Sequence, residues 1–457
     1  MGKRVLISFL GTGIFADKSR REYSPIHYHL DDEDLGNYSF VGAALKEHFK
    51  IDNIVLIGSV HSMWEEIYKI FTPSQDFDPD IHIEMGVYCD EANSKSPLEF
   101  PHKDVVEKSL GSESKIVLIK YGSNEQEIKE NIRIILGLAQ YFNKDDELVV
   151  DVTHSFRSLP IYIMQLLIFL KNVKGITVSH IYYGMFEMRN ELGYAPIVDL
   201  TTILDVNDWI IGAYNFQEFG NTYKITKLLE KDSSGLYTNS GKQLLRFADA
   251  KNLNQLREFR TGIKELSLLM DCKNLPDIGK LLIPDIISKF AKRFPLSLNE
   301  YIYQFRMAEW HEKHHNYGYA LINLVESALS FCCELVPDNY IPTELVVDKK
   351  GYQKRNKKGE ILPNVKRKAI RRALNYAQED RGLKSIEKLR KDLETLMKNE
   401  DIVFSLFNSY YDNVNLDRNT IAHDIDRESP KSYSEILKDL KEGLKFFRGI
   451  FQPYSKS

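Results

Sequence analysis

The sequence predicts an α/β domain with a mostly parallel sheet over residues 1–204, followed by helices alone to residue 457. Three observations carry this. Short apolar runs rich in β-branched residues recur through the first two hundred residues, and helical patterns separate most of them. From Asp205 onward the periodicity turns helical. Two polar motifs break the pattern: Asp151–Arg157 where a strand should end, and Asp417–His423 in the C-terminal helices.

The first run, Val5-Leu6-Ile7-Ser8-Phe9-Leu10, ends in Gly11-Thr12-Gly13. Similar runs occur at Ile54–Ser59, Ile116–Tyr121, Glu147–Asp151 and Ile176–Tyr183. Helical patterns lie at Phe40–Phe49, Glu125–Phe142 and Leu159–Asn172. Strands alternating with helices imply a parallel sheet covered on both faces. Such sheets take ligands in the crevice at the C-terminal ends of their strands.

Three strand ends therefore matter. Gly11-Thr12-Gly13-Ile14-Phe15-Ala16 matches G-x-G-x-x-A, but the chain then turns polar (Lys18, Arg20, Arg21, Pro25), and the next strand ends in Gly58-Ser59 with no acid. Both features argue against a dinucleotide fold. Two readings remain: a glycine loop that admits another phosphate ligand, and a plain turn. The second end, Asp151-Val152-Thr153-His154-Ser155-Phe156-Arg157, is the more specific. Ser158 is placed to cap the next helix and Pro160 falls in its first turn. The unpaired N–H groups and dipole of such a helix favour an anion, and Thr153, His154, Ser155 and Arg157 add donors. A cluster of this size exceeds what capping requires. The third end is Tyr183-Gly184-Met185-Phe186-Glu187, where Gly184 either allows close backbone approach or makes a hairpin turn.

The remainder divides into a helical connector, residues 205–297, and a region of longer helices, 298–457. Trp209–Tyr214 is expected to pack a helix beneath the sheet domain, and a break is expected at Ser233-Ser234-Gly235. Tyr319–Val336 reads as a core helix. His311-Glu312-Lys313-His314-His315 matches H-E-x-x-H, with Glu334 as a conceivable third ligand, but the segment is polar and a solvated helix face is the expectation. No metal site is expected. The stretch 349–372 holds eleven Lys and Arg against one acid, Glu360. It reads as a mobile basic insertion that binds an RNA backbone, with Lys354, Arg355, Lys357, Lys358, Lys366 and Arg367 as candidate contacts.

Arg418-Asn419-Thr420-Ile421-Ala422-His423 has the form R-x4-H. A guanidinium holds a phosphate and its developing charge, and an imidazole moves protons near neutral pH. Arg418 and His423 are thus candidate catalytic residues for metal-free phosphodiester cleavage, with Asn419 orienting either one. Five residues along a helix turn it by about 140°. The two side chains cannot share one face, so either the arginine precedes the helix or the site draws on two chains.

Length admits about three domains, or two larger ones. Hydrophobic content of 43% suffices for real cores, and a net charge of −4 rules out a uniformly basic nucleic-acid sleeve. Four scattered cysteines (Cys89, Cys272, Cys332, Cys333) form no C-x-x-C pair, which fits a reducing cytoplasm. The N-terminus runs directly into a strand without a signal-peptide pattern, and Leu159–Leu170 is about half a membrane span. A soluble, cytoplasmic protein is expected.

Asp151–Arg157 resembles the D-x-T-H-[GS]-x-R signature of CARF domains, and Arg418–His423 the R-x4-H motif of HEPN domains. Together, in this order, they make the chain similar to the CARF–HEPN ribonucleases of type III CRISPR systems. The resemblance covers residues 1–204 as a Rossmann-like CARF domain and 298–457 as an all-α HEPN domain. It implies a homodimer whose CARF domains bind a cyclic oligoadenylate, the messenger made when the CRISPR effector complex detects foreign RNA. Binding would activate the HEPN domains to cut single-stranded RNA without a metal. Gly11, Thr12, Gly13, Thr153, His154, Ser155, Arg157 and, at the third strand end, Gly184 would form the messenger pocket. Ser155 stands where many relatives carry glycine, which leaves a ring of four or six adenylates open. Stable binding to the effector complex is not required, and no cofactor serves catalysis.

Overall fold

A computed structural model describes residues 2–15, 21–154, 158–231, 235–271, 275–347, 354–422 and 431–451. It divides into two compact units, residues 1–207 and 208–457. Each is described by itself.

The first unit is built on an eight-stranded sheet. In chain order its strands are β1 (Arg4–Leu10), β4 (Ile26–Leu30), β5 (Glu33–Tyr38), β6 (Asn53–Gly58), β7 (Lys115–Leu118), β8 (Glu147–Asp151), β9 (Thr177–Gly184) and β10 (Ala195–Asp199). Two short strands, β2 (Ile14–Phe15) and β3 (Arg21–Glu22), form a separate pair. The order across the sheet is β5-β4-β10-β9-β8-β1-β6-β7. The five strands from β9 to β7 are parallel, while β4 pairs antiparallel with β5 and β9 with β10. The mostly parallel α/β fold expected from the sequence is therefore present.

The apolar runs are explained by coverage on both faces. Along β1, Leu6 and Leu10 enter one core and Val5, Ile7 and Phe9 the other. Alternate side chains of a strand point to opposite faces, so a strand covered twice must be apolar throughout. Helices α1 (Val41–His48), α2 (Trp64–Phe71), α3 (Pro79–Glu91) and α4 (Lys103–Leu110) cover the first face. On the second lie α5 (Glu125–Gly137) and α6 (Leu159–Phe169). A short helix, α7 (Arg189–Leu192), joins β9 to β10, so Gly184 does not lie in a tight hairpin turn. Inside α5, buried Asn131 mimics a strand: its Oδ1 accepts the Lys120 N–H and its Nδ2 donates to the Lys120 carbonyl, both at 2.8 Å.

The second unit is helical. Its elements are α8 (Thr202–Phe219, starting in the first unit), α9 (Tyr223–Glu230), α10 (Thr238–Asn252), α11 (Leu256–Ser267), α12 (Asp277–Arg293), α13 (Glu300–Lys313), α14 (Tyr317–Leu335), α15 (Pro363–Asn375), α16 (Lys384–Asn399), α17 (Phe404–Ala422) and α18 (Tyr433–Phe451). One continuous core runs from Trp209 to Phe451, so the segment 205–297 shares its interior with the later helices. Tyr319–Val336 is a core helix as expected.

Four local expectations are corrected. Trp209 does not serve a sheet: it is buried in the helical core, against Gly279. Ser158 sits at the N-cap position of α6 but has helical backbone angles and its side chain makes no capping bond. His311 is not on a solvated face: it has no exposed surface, beside Trp310 and Tyr319. The helix ends at Lys313 and His315 takes a left-handed conformation with φ 59°, while Glu334 accepts a bond from Asn299, so H-E-x-x-H does not lie on one helical face. Finally, 363–372 is no mobile insertion. It is the start of α15, which buries Val365, Ala369, Ile370, Ala373 and Leu374.

Candidate functional site

At the C-terminal ends of β1, β8 and β9 lies a cavity of about 420 Å³. Its floor is made by Gly11, Thr12, Gly13, Thr153, His154 and Gly184. Three separate sequence signals thus converge, because parallel strands end at one edge and the crevice opens there.

Each motif residue has an identifiable task. Asp151 does not face the cavity. It is fully buried, accepts the Ser8 hydroxyl at 2.5 Å and the Thr153 N–H at 2.9 Å, and so ties β1 to the turn after β8. Thr153 Oγ1 accepts the Gly184 N–H at 2.8 Å, joining the ends of β8 and β9. A Cβ on Gly184 would meet Thr153 Oγ1 at 3.3 Å, so glycine there serves close approach. Gly13 has φ +67°, and a Cβ on it would lie 1.9 Å from Met63 Sδ. Gly11 donates its N–H to the Tyr23 hydroxyl at 3.1 Å.

His154 is held by rings. It stacks on Phe40, with centroids 5.5 Å apart, and lies 5.1 Å from Tyr23. Burial lowers its pKa below the ordinary histidine value against the opposing charge of Asp151, so the imidazole is neutral near pH 7. Its Nε2 has no protein partner among the described residues, and an unpartnered buried nitrogen calls for a ligand group. Ser155 and Arg157 lie outside the described residues.

Beyond the expected pocket residues the cavity is lined by Tyr23, Ser24, Ser39, Tyr183, Glu187 and Arg189, of which Tyr183 and Glu187 belong to the third strand end already singled out. Arg189 lies over the Phe186 ring at 4.2 Å, and Tyr183 donates to Glu187 at 3.4 Å. Among the described lining residues Arg189 is the one permanent cation. Arg189 follows directly on the third strand end, so extending that segment by two residues would have found it.

The second candidate site lies in the other unit. Arg418 and Asn419 are half-buried within α17, and Arg418 Nη2 donates to Asn419 Oδ1 at 2.9 Å. Arg418 does not precede its helix, which removes one of the two alternatives for the R-x4-H pair. His423 lies outside the described residues. The flanking residues anchor the helix: Asp417 is fully buried and paired with Lys431, which also bonds Asp439, and Thr420 Oγ1 donates to the Leu416 carbonyl at 2.8 Å.

The candidate RNA contacts separate into two groups. Lys354, Lys357 and Lys358 are exposed, and Arg355 donates to the Gly359 carbonyl at 2.9 Å. Lys366 instead pairs with Asp338 at 3.0 Å, and Arg367 with Glu326. These two cations are largely spent on the fold.

Comparison with known proteins bears on this geometry. Residues 5–187 match the family described as CRISPR system endoribonuclease Csx1, CARF domain, and residues 205–297 that described as CRISPR-associated protein MJ1674, second domain. The CRISPR-associated protein MJ1674 of Methanocaldococcus jannaschii is 32% identical over 461 aligned residues, which span 96% of this chain and 69% of that protein. The chain belongs to this family of CRISPR-associated proteins. Its sheet domain is a CARF domain, and the cavity lies at the strand ends of that domain. Among solved structures, Enterococcus italicus Csm6 bound to cyclic hexa-2'-fluoro-hexa-dAMP aligns with 100% of this chain and 96% of its own at 11% identity and a TM-score of 0.39. A superposition of that quality fixes neither fold nor ligand here. Among the described residues, no helix of this CRISPR-associated protein is long and apolar enough to cross a membrane.

Proposed function

We propose that this CARF protein is a cyclic oligoadenylate-activated, metal-independent endoribonuclease that cleaves single-stranded RNA in type III CRISPR defence. The observation that carries the reading is the convergence of Gly11–Gly13, Thr153, His154 and Gly184 on one cavity of the CARF domain. The family matched by residues 5–187, the CARF domain of a CRISPR system endoribonuclease, agrees with it. Residues 1–204 act as sensor, 205–297 as connector and 298–457 as a HEPN nuclease.

The cavity binds nucleotide through directional groups, the backbone of the glycine loop and the unpartnered His154 Nε2, and through the permanent charge of the Arg189 guanidinium, with Ser155 and Arg157 adding donors. About 420 Å³ is in the range for one drug-sized ligand. A ring of four or six adenylates is larger, so two copies share it across a homodimer. A stripe of exposed apolar residues on α8, Ile203, Val206, Ile210 and Tyr214, at helical spacing, supports self-association.

In the nuclease domain a substrate 2′-hydroxyl attacks the adjacent phosphate. Arg418 stabilises the charge on the phosphate oxygens, His423 moves the proton and Asn419 holds the guanidinium in place. The products are a 2′,3′-cyclic phosphate or 3′-phosphate and a 5′-hydroxyl. Two chains supply one cleft, a reading that the place of Arg418 inside α17 supports. Lys354, Arg355, Lys357 and Lys358 attract the RNA backbone, and Lys366 and Arg367 contribute less because they are paired.

The test is a cleavage assay on single-stranded RNA in chelator, with cyclic adenylates of four and six units added separately. Cleavage is expected with one ring and not with linear adenylate. Arg418→Ala and His423→Ala should each lower the rate at least 100-fold. RNA binding that persists without cleavage under either ring would replace this reading with that of a messenger-gated binding protein.

A further inference from the structure

A cluster outside both sites has the make-up of a metal centre. His27 and His29 stand two apart on β4, so both imidazoles project from the same side of the strand while Tyr28 between them is fully buried. The antiparallel partner of His29 across the hairpin is Asp34 of β5, and the register shifts between Tyr28 and His29. That irregularity brings both rings toward a single carboxylate. His27 Nε2 is 3.0 Å from Asp34 Oδ1, and His29 Nε2 is 4.0 Å from the same oxygen. One donor atom from each of the three residues lies within 4.8 Å of the others. Among the described residues this is the group of His, Cys, Asp and Glu that meets such a criterion.

The donors are also oriented from behind. The His29 ring stacks on Tyr194, with centroids 4.0 Å apart and planes at 27°. Tyr194 directly precedes β10, which pairs with β4, so sheet pairing holds that ring. Asp34 Oδ1 accepts the Gly36 N–H at 2.8 Å. Such supporting contacts typically fix metal-binding side chains in place.

We infer that His27, His29 and Asp34 bind one divalent transition-metal ion, zinc or an ion of similar softness. Two imidazoles and a carboxylate suit zinc, nickel, cobalt or iron(II) better than magnesium or calcium, which prefer oxygen donors. Zinc–nitrogen distances of about 2.0–2.1 Å place tetrahedral ligands about 3.3 Å apart. Side-chain rotations that shorten the present spacing by up to about 1.5 Å meet that geometry, and the partly exposed side chains can make them. Exposure also leaves the fourth position to water or an outside ligand. The ion would pin β5, the edge strand, to β4. Ile26 at the start of β4 and Ser39 just past β5 both line the CARF cavity, so the metal would clamp the hairpin that frames it.

The alternative is a surface ion-pair cluster with no metal role, and binding experiments separate the two. Full-length protein stripped with chelator is titrated with zinc against a chromophoric chelator, with no nucleotide or RNA present, and cobalt is used for its visible absorption. One zinc per chain is expected from this site. Affinity should fall at least tenfold in His29→Asn and in Asp34→Asn, and that equivalent should vanish in His27→Asn/His29→Asn, whose metal-free circular dichroism should match the parent. No saturable binding, or an unchanged stoichiometry in the double variant, overturns the inference. Neither result bears on messenger-driven RNA cleavage, which is measured in chelator.

Discussion

Asp151 lies at the end of a central strand with two donors on its carboxylate, Ser8 Oγ and the Thr153 N–H, and no surface exposed to water. Replacing it by alanine strands both donors in the interior, at about 1–3 kcal/mol for each group left unpaired. Asp151→Ala should therefore lower stability by about 2–6 kcal/mol in urea unfolding, and weaken cyclic adenylate binding because the turn carrying Thr153 and His154 loosens. Gly13→Ala is a sharper local test. Its positive φ disfavours any side chain, and its new Cβ would run into Met63, which is itself buried. A loss of about 1–3 kcal/mol and at least tenfold weaker nucleotide binding are expected, measured by urea unfolding and calorimetric titration. Both residues stood out as a glycine loop and a motif aspartate. Their tasks were not readable, because a motif names donors and acceptors without naming partners 50 or 140 residues away.

Helix α17 is held by charge as well as packing. Burial pushes the Asp417 carboxyl up although Lys431 opposes it. Lys431→Met removes the partner of a carboxylate with no exposed surface, and breaking a buried pair typically costs about 3–5 kcal/mol. A loss near the lower figure is expected in urea unfolding, with RNA cleavage falling because Arg418 and Asn419 lose their platform. On the same helix, desolvation raises the Asp412 carboxyl to about 6. The folded chain then holds a proton that the unfolded chain releases near pH 4, so this group favours folding in acid and the benefit is lost as pH rises through about 6. Asp412→Asn should raise the urea midpoint relative to the parent by more at pH 7 than at pH 4.5. On α8, Ile210→Glu should convert a dimer to a monomer in sedimentation if the exposed stripe is the shared surface. The spacing of these helices was evident from sequence. Which of their charges are buried was not, since spacing along a helix does not say which distant residue meets each charge.

Across the molecule, the two units respond to acid through buried histidines. His311 has no exposed surface, and burial beside Lys251 and His314 depresses its pKa to about 3. The unfolded chain binds that proton near pH 6.5, so the contribution is complete above 6.5 and is lost as pH falls toward 3. Calorimetry should show a transition that weakens steadily below pH 6.5, and His311→Leu should remove most of that dependence. His154 shifts in the same direction within the CARF domain.

By itself the sequence determined the doubly covered parallel sheet, the position of its ligand edge and the helical character of the chain beyond residue 204. Those features rest on local periodicity, because a strand covered on both faces must be apolar at every position. It did not determine the β4–β5 hairpin, whose polar alternation is that of an edge, nor the ring of aromatics around His154. Nor did it separate Lys354, Lys357 and Lys358, which face water, from Lys366 and Arg367, which hold α15 to its neighbours. Tertiary structure decided these. Desolvation and pairing depend on which distant residue arrives opposite, as when hairpin register brings Asp34 to His27 and His29.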